Sequence, residues 1–561
     1  MRSLTRRRVA IAATILGLAA LAMLAPGVAM ATAVGVGGLW HAAAVVRRNR
    51  PLSGHRLCAA VAACGIVPGL LVPAVIGATR TDAGVLGTLA VARSAIGPAL
   101  VLVVGAALAL LVTFLRWWPE GRSDLPFLAF VGLPVTVAKL AYVHVVRMQP
   151  ISDFADMWAL ASRIATAGLT PPTDSLGWIY LERLTPYLLP LRLLFGPEPS
   201  SYAIPNVLVG VAGSLGVYFV SRRWFGRPAA RAAFTLSLIA PETWLAAEIP
   251  THDVPGAAMA VLGLVVLSVA YERTRAWRRS ALAWGAAWGV VVLLLDLQRT
   301  TGAAFLLACG SLAIAAAVFD PPRPPTGRRW RPAVFAALTL LLLPAASYRI
   351  GQAGLRVVGL RNPTPVESDQ VLSLFTSTTS WSDGLPWHIL PESRRYKSLP
   401  VDWPDWWATR LATETALHPW ARVQAYARHS RILFALGSQH GIYYTGATVG
   451  EHRRLSPQAE AGIRLVGDCF AVFFVAALLL GCWRIARSAL PPLMPLAPLA
   501  YLAVLAGTLI LLGQVQPRYV YAIWYLGAIY AGLGCTAAAS RRSGPPTAPL
   551  EPAPARVEPP V

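Results

Sequence analysis

Apolar residues run along this chain in blocks of about twenty, separated by short polar connections rich in arginine. A helix needs roughly 20 mostly apolar residues to cross a bilayer. A spanning strand would be about 10 residues of alternating polarity, a pattern the chain lacks. The blocks predict spans over 9–26, 28–46, 57–79, 94–115, 126–146, 203–220, 231–247, 253–271, 280–297, 301–319, 332–350, 462–483, 491–512 and 518–537. That is about fourteen transmembrane helices, so the expected fold class is all-α, a polytopic helical membrane protein. Pro241 and Glu242 interrupt the block at 231–247. At the N-terminus the apolar run after MRSLTRRR continues to about Val46, too long for the apolar region of a signal peptide. The APG at 25–27 could fold it into a hairpin of two short spans, the reading adopted above, or the run could form one long span.

Composition agrees with this pattern. Of 561 residues, 56% are hydrophobic and 13% charged, about half the charged content of a soluble domain. The net charge of +23 would suit a nucleic-acid binder, but its placement excludes that class. Arginines cluster in RRNR at 47–50, SRRWFGR at 221–227 and ERTRAWRR at 272–279, as in cytoplasmic loops of membrane proteins. With the N-terminus cytoplasmic, the basic loops all fall inside, both termini are cytoplasmic, and the short outer loops hold little beyond Arg80, Arg299 and Arg518. The six cysteines lie in predicted spans, and no CxxC occurs.

The expected organisation is an N-terminal bundle of about four spans at 1–125 and a core at 126–350 whose first outer loop is 147–202. A large Trp-rich outer loop at 351–461 follows, then C-terminal spans at 462–540 and a Pro-rich tail at 541–561. The tail has the composition of a disordered segment. Trp381, Trp387, Trp403, Trp406 and Trp407 suit either the headgroup level of the membrane or stacking on sugar rings.

The first outer loop opens with QPISDFADMW at 149–158. Asp153 and Asp156 stand at i and i+3, one face of a helix, while Met157, Ala161 and Ile164 form an apolar face. An amphipathic helix lying along the membrane surface follows. Asp153 could be the helix N-cap, or one of the carboxylates could be a general base, its pKa raised beside the low-dielectric membrane.

A span, then PISDF at its outer end, then an amphipathic segment ending in glycine resembles the GT-C superfamily of integral-membrane glycosyltransferases. The resemblance is to members such as the protein mannosyltransferases and aminoarabinose transferases. The likeness continues in ERLTPYLLPLRLLFG at 182–196, in NVLVGVAGSLGVYFVSRRWFGRPAARAAFTLSLIAPE at 206–242, in ETALHPWARVQAYARHSRILFALG and in GQVQPRYVYAIWY. It covers roughly 126–540, and the four preceding spans depart from it. The resemblance implies a GT-C-like core with outer-surface amphipathic helices, a polyprenyl-phosphate-linked sugar as donor and a cell-envelope glycan, lipid or protein as acceptor. It makes Asp153 the first candidate base, with Asp156 second. A single displacement would invert the anomeric centre.

Other polar residues at the outer ends of spans fit such a site or have plainer uses. Arg518 in QPRYVY and Arg299 in DLQRTTG could seat a phosphate or snorkel to headgroups. Lys139, about two turns inside its span, could snorkel or reach a phosphate. His252 and Asp253 in IPTHDVPG could bind a divalent cation or orient the acceptor, or Asp253 could simply cap the next span. Whether a metal is needed is open. Asp296 could pair with Arg299, three residues on. Glu242 and Glu248 form a further possible carboxylate pair. Besides a glycosyltransferase of the cell membrane with an extracytoplasmic site, a transporter or flippase of lipid-linked saccharides, or a polysaccharide polymerase or ligase, would use many of these features. A transporter would carry internal repeats and broken helices at mid-depth; no clear repeat is found, and the polar groups lie at the outer ends.

Overall fold

A computed structural model describes residues 96–118, 123–146, 153–169, 175–198, 200–319, 330–361, 424–426, 429, 433, 457–487, 493–512 and 521–536. The first three expected spans, most of the Trp-rich loop, Arg518 and the Pro-rich tail lie outside the described residues.

The regular elements among the described residues are all helices. In chain order the helices are α1 Ile96–Trp117, α2 Leu125–Val146, α3 Asp153–Ala167, α4 Ser175–Leu184, α5 Leu188–Phe195 and α6 Ser200–Phe225. Next come α7 Arg227–Ile239, α8 Pro241–Leu245, α9 Asp253–Arg275, α10 Ser280–Arg299 and α11 Gly302–Phe319. Then α12 Trp330–Ala337 passes through a wider turn at Leu338–Leu342 into α13 Leu343–Val357, and α14 Pro457–Arg487, α15 Ala497–Leu512 and α16 Ile523–Thr536 complete the set.

Among the described residues, six stretches are long and apolar enough to cross a membrane: Leu125–Val145, Ser200–Phe225, Asp253–Arg275, Ser280–Arg299, Ala333–Val357 and Gly462–Ile485. Four shorter apolar helices, Leu102–Leu115, Gly302–Val318, Met494–Ile510 and Ile523–Thr536, match further expected spans. Large apolar side chains such as Leu125, Leu133 and Phe219 are exposed on the helix surfaces, which suits contact with lipid. The chain is a multi-pass membrane protein.

One expected span is formed as a broken element instead of a single helix. Between Arg227 and Asp253 there is no single helix; α7 stops at Ile239, and the chain breaks at Ala240 and Pro241 into α8, a short tight turn at Ala246–Glu248 and an extended Ile249. Proline has no N–H to continue the ladder and disfavours helix in the residue before it. α7, of 13 residues, is about 20 Å long, too short to cross alone. This broken element is buried along most of its length.

The bundle is held by close helix pairs. α9 packs on α10, α14 on α16, α7 on α16 and α6 on both α7 and α9. At the α14–α16 crossing, a side chain on Gly481 would strike the Tyr530 carbonyl, and one on Gly534 would strike the Ala477 carbonyl. Small residues let backbones approach within lipid, where packing drives association.

Candidate active site

The end of the bundle where α3 lies collects most of the polar side chains singled out above. α3 begins at Asp153. Phe154, Met157 and Ala161 are buried and Asp156 is exposed, so the helix is amphipathic as its sequence predicts. Its apolar face rests on α5, with Arg192 Nε donating to Ser162 Oγ at 3.1 Å. Trp158 Nε1 donates to the Pro197 carbonyl at 3.1 Å and its ring stands edge-on to Tyr202 at 4.9 Å.

The Phe154 ring centroid lies 6.2 Å from that of His252. The first turn of α3 therefore abuts the start of α9. There Thr251 Oγ1 accepts the Asp253 N–H at 2.9 Å, so Thr251, rather than Asp253, serves the backbone at this helix start. The Asp253 carboxylate is ion-paired with Arg299, the last residue of α10, and stands 3.7 Å from His252 Nε2. Gly256, one turn along α9, leaves room for the Arg299 stem: a Cβ there would sit 3.1 Å from Arg299 Cγ. The start of α3, His252, Asp253 and Arg299, separated by up to about 150 positions in sequence, thus lie at one end of the bundle.

Asp296 does not take the expected partner. The chain leaves α10 through Thr300 in a left-handed conformation, φ 48°, and the Gly302 N–H returns to Asp296 Oδ1 at 3.0 Å. The other carboxylate oxygen accepts from Gln352 Nε2 at 3.2 Å and Arg361 Nη2 at 3.3 Å. Arg361 also reaches Glu182 of α4, Nε to Oε1 3.8 Å. Arg361 therefore ties α10, α13 and the first loop together, a role its sequence context gave no sign of.

Lys139 is buried. Its Nζ donates to Thr243 Oγ1 at 2.7 Å and lies 5.6 Å above the Trp244 ring. Asn206 of α6 secures the same broken element from another side, donating through Nδ2 to the Ile249 carbonyl at 2.8 Å and accepting from the Tyr187 hydroxyl at 2.9 Å. Burial pushes the Tyr187 phenol up, which keeps it a neutral donor. Glu242 and Glu248 are buried in this element, and both bear electrostatically on Tyr142.

Among the described residues no three His, Cys, Asp or Glu side chains converge on one point. The Asp253 carboxylate faces a guanidinium.

Residues 185–348 match the family model of the dolichyl-phosphate-mannose-protein mannosyltransferases. Over this segment the resemblance to GT-C membrane glycosyltransferases holds. The segment runs from the turn before α5 into α13 and includes the broken element, His252, Asp253 and Arg299, but not α3. A search of curated proteins finds no match. Among solved structures, the chain is similar to the archaeal oligosaccharyltransferase AglB from Archaeoglobus fulgidus in complex with an inhibitory peptide and a dolichol-phosphate: 14% identity, TM-score 0.35, 72% of this chain and 50% of that one. It is also similar to ArnT from Cupriavidus metallidurans bound to undecaprenyl phosphate: 13% identity, TM-score 0.28, 74% of this chain and 78% of that one. The chain spans about half the length of the oligosaccharyltransferase it matches.

Proposed function

We propose that the chain transfers a sugar from a polyprenyl-phosphate donor to a hydroxyl of a cell-envelope acceptor on the extracytoplasmic side, with inversion. The observation that carries this reading is the convergence of the α3 start with His252, Asp253 and Arg299 at one end of a bundle whose central segment matches the mannosyltransferase family. The arginine-rich connections at the opposite ends of α6, α9 and α10 support placing that opposite end in the cytoplasm.

In this mechanism Asp153 takes the proton of the acceptor hydroxyl. The oxygen attacks the anomeric carbon while the bond from that carbon to the phosphate oxygen breaks. The phosphate leaves with the electron pair, and Arg518 and Arg299 stabilise the charge it gains. His252 and Asp253 orient the acceptor and Arg299. No step is routed through a metal.

The test is transfer by membranes containing the protein, using a panel of radiolabelled polyprenyl-phosphate sugars. Formation of a new glycosidic bond from one of them is the expected result. Movement of lipid-linked sugar across the membrane without a new bond would contradict the reading and favour a transporter. Arg299→Gln should raise the donor KM about tenfold, the loss of one charge-assisted contact to phosphate. Arg299→Lys, which keeps the charge but not the fork, should recover part of it.

A further inference from the structure

The end of the bundle opposite α3 carries a second cationic site. Asp124, just before α2, is buried and surrounded by three guanidiniums from α6 and α7. Arg231 is fully buried and donates to Asp124 Oδ1 at 2.6 Å; Arg222 and Arg227 stand 3.6 and 3.4 Å from Oδ2. The buried Arg231 consumes the carboxylate. Arg222 and Arg227 keep 43% and 40% of their side chains exposed, so a net positive charge faces outward from a fixed carboxylate anchor.

Below Arg222 the surface is apolar. Ile204, Leu208, Ala212, Leu215 and Phe219 follow at helical spacing along α6, and all but Leu215, which is half-buried, are exposed. The eleven residues from Ala212 to Arg222 span about 15 Å, half of the roughly 30 Å hydrocarbon thickness, or one leaflet. A headgroup anion at the guanidiniums would thus lie directly over a track of the length of one acyl chain.

We propose that Arg222 and Arg227 bind the phosphate of an anionic phospholipid, whose acyl chain lies along the Ala212–Phe219 stripe of α6. The guanidinium forks are suited to phosphate oxygens, and basic pockets between transmembrane helices on the cytoplasmic side take anionic headgroups. The site stands apart from the catalytic end, and its existence does not depend on the donor or the acceptor.

The test places the full-length protein in phosphatidylcholine nanodiscs with increasing phosphatidylglycerol and follows retained lipid by native mass spectrometry. Arg222→Gln with Arg227→Gln should raise the half-saturating phosphatidylglycerol fraction about 30-fold, roughly fivefold for each charge. Arg278→Gln with Arg279→Gln removes equal charge from exposed positions elsewhere at the same end and should leave retention within twofold. The Asp124–Arg231 pair remains in both variants. Equal losses in the two variants, or unchanged retention in the first, would overturn the proposal. Displacement of the lipid by millimolar inorganic phosphate would also overturn it, assigning the arginines to a free anion.

Discussion

Asp153→Asn lowers kcat for glycosyl transfer by about 10²–10⁴-fold, the usual contribution of a positioned general base, with the donor KM within about twofold of wild type. The change removes one proton acceptor and nearly no volume. Asparagine is as good as aspartate at a helix start, so α3 forms in the variant. A purely structural Asp153 would therefore leave kcat unchanged, and that result removes it from the mechanism. Asp156, exposed on the same helix, gives the internal control: Asp156→Asn should change kcat by less than about threefold, within what a solvated surface charge can do. Parallel losses in the two variants would mean that the charge of the helix matters and not a particular carboxylate.

Asp124→Ala destabilises the bundle by about 3 kcal/mol, because it leaves Arg231 buried without its carboxylate. The figure lies at the low end of the range for breaking a buried pair, since the neighbouring Arg222 and Arg227 side chains are partly exposed. Thermal unfolding followed by size-exclusion chromatography in detergent measures it. Asp124→Ala with Arg231→Met, which removes both charges, should recover most of the loss. The same pair sets a pH dependence. Burial works to raise the Asp124 pKa, but the Tyr218 hydroxyl, Arg231 and Arg222 outweigh it and hold the carboxyl below its ordinary value of 3.8. A group whose pKa falls on folding contributes stability above its unfolded value, and that stability is lost as pH falls through the folded value. Wild type should thus lose this contribution below pH 3.8, and the double variant should not.

The long apolar blocks were legible in the sequence because a bilayer demands length and apolarity whatever the neighbours are. The break in the block at 231–247 was visible as Pro241 and Glu242, but apolarity alone read through it; the helix ends at Ile239 because proline cannot continue the ladder. The amphipathic face of α3 followed from Met157 and Ala161 for the same local reason. Partnerships between elements were not legible. Asp296 and Arg299 stand one turn apart, and helix spacing alone paired them. The left-handed Thr300 turns the chain so that the Gly302 N–H takes one Asp296 oxygen, while Arg299 reaches across to Asp253 on α9. Arg361 and Asn206 carried no local sign at all, since what they hold lies on other helices. The Asp124–Arg231 pair spans 107 positions, beyond any periodicity.

The location of α3 decides the account most directly. Arg163 lies exposed on α3, ten residues after Asp153 and outside the proposed chemistry. In an otherwise cysteine-free protein, Arg163→Cys in intact cells should react with a membrane-impermeant maleimide without permeabilisation. Reaction only after the membrane is opened would place α3, and Asp153 with it, in the cytoplasm and contradict the proposed site.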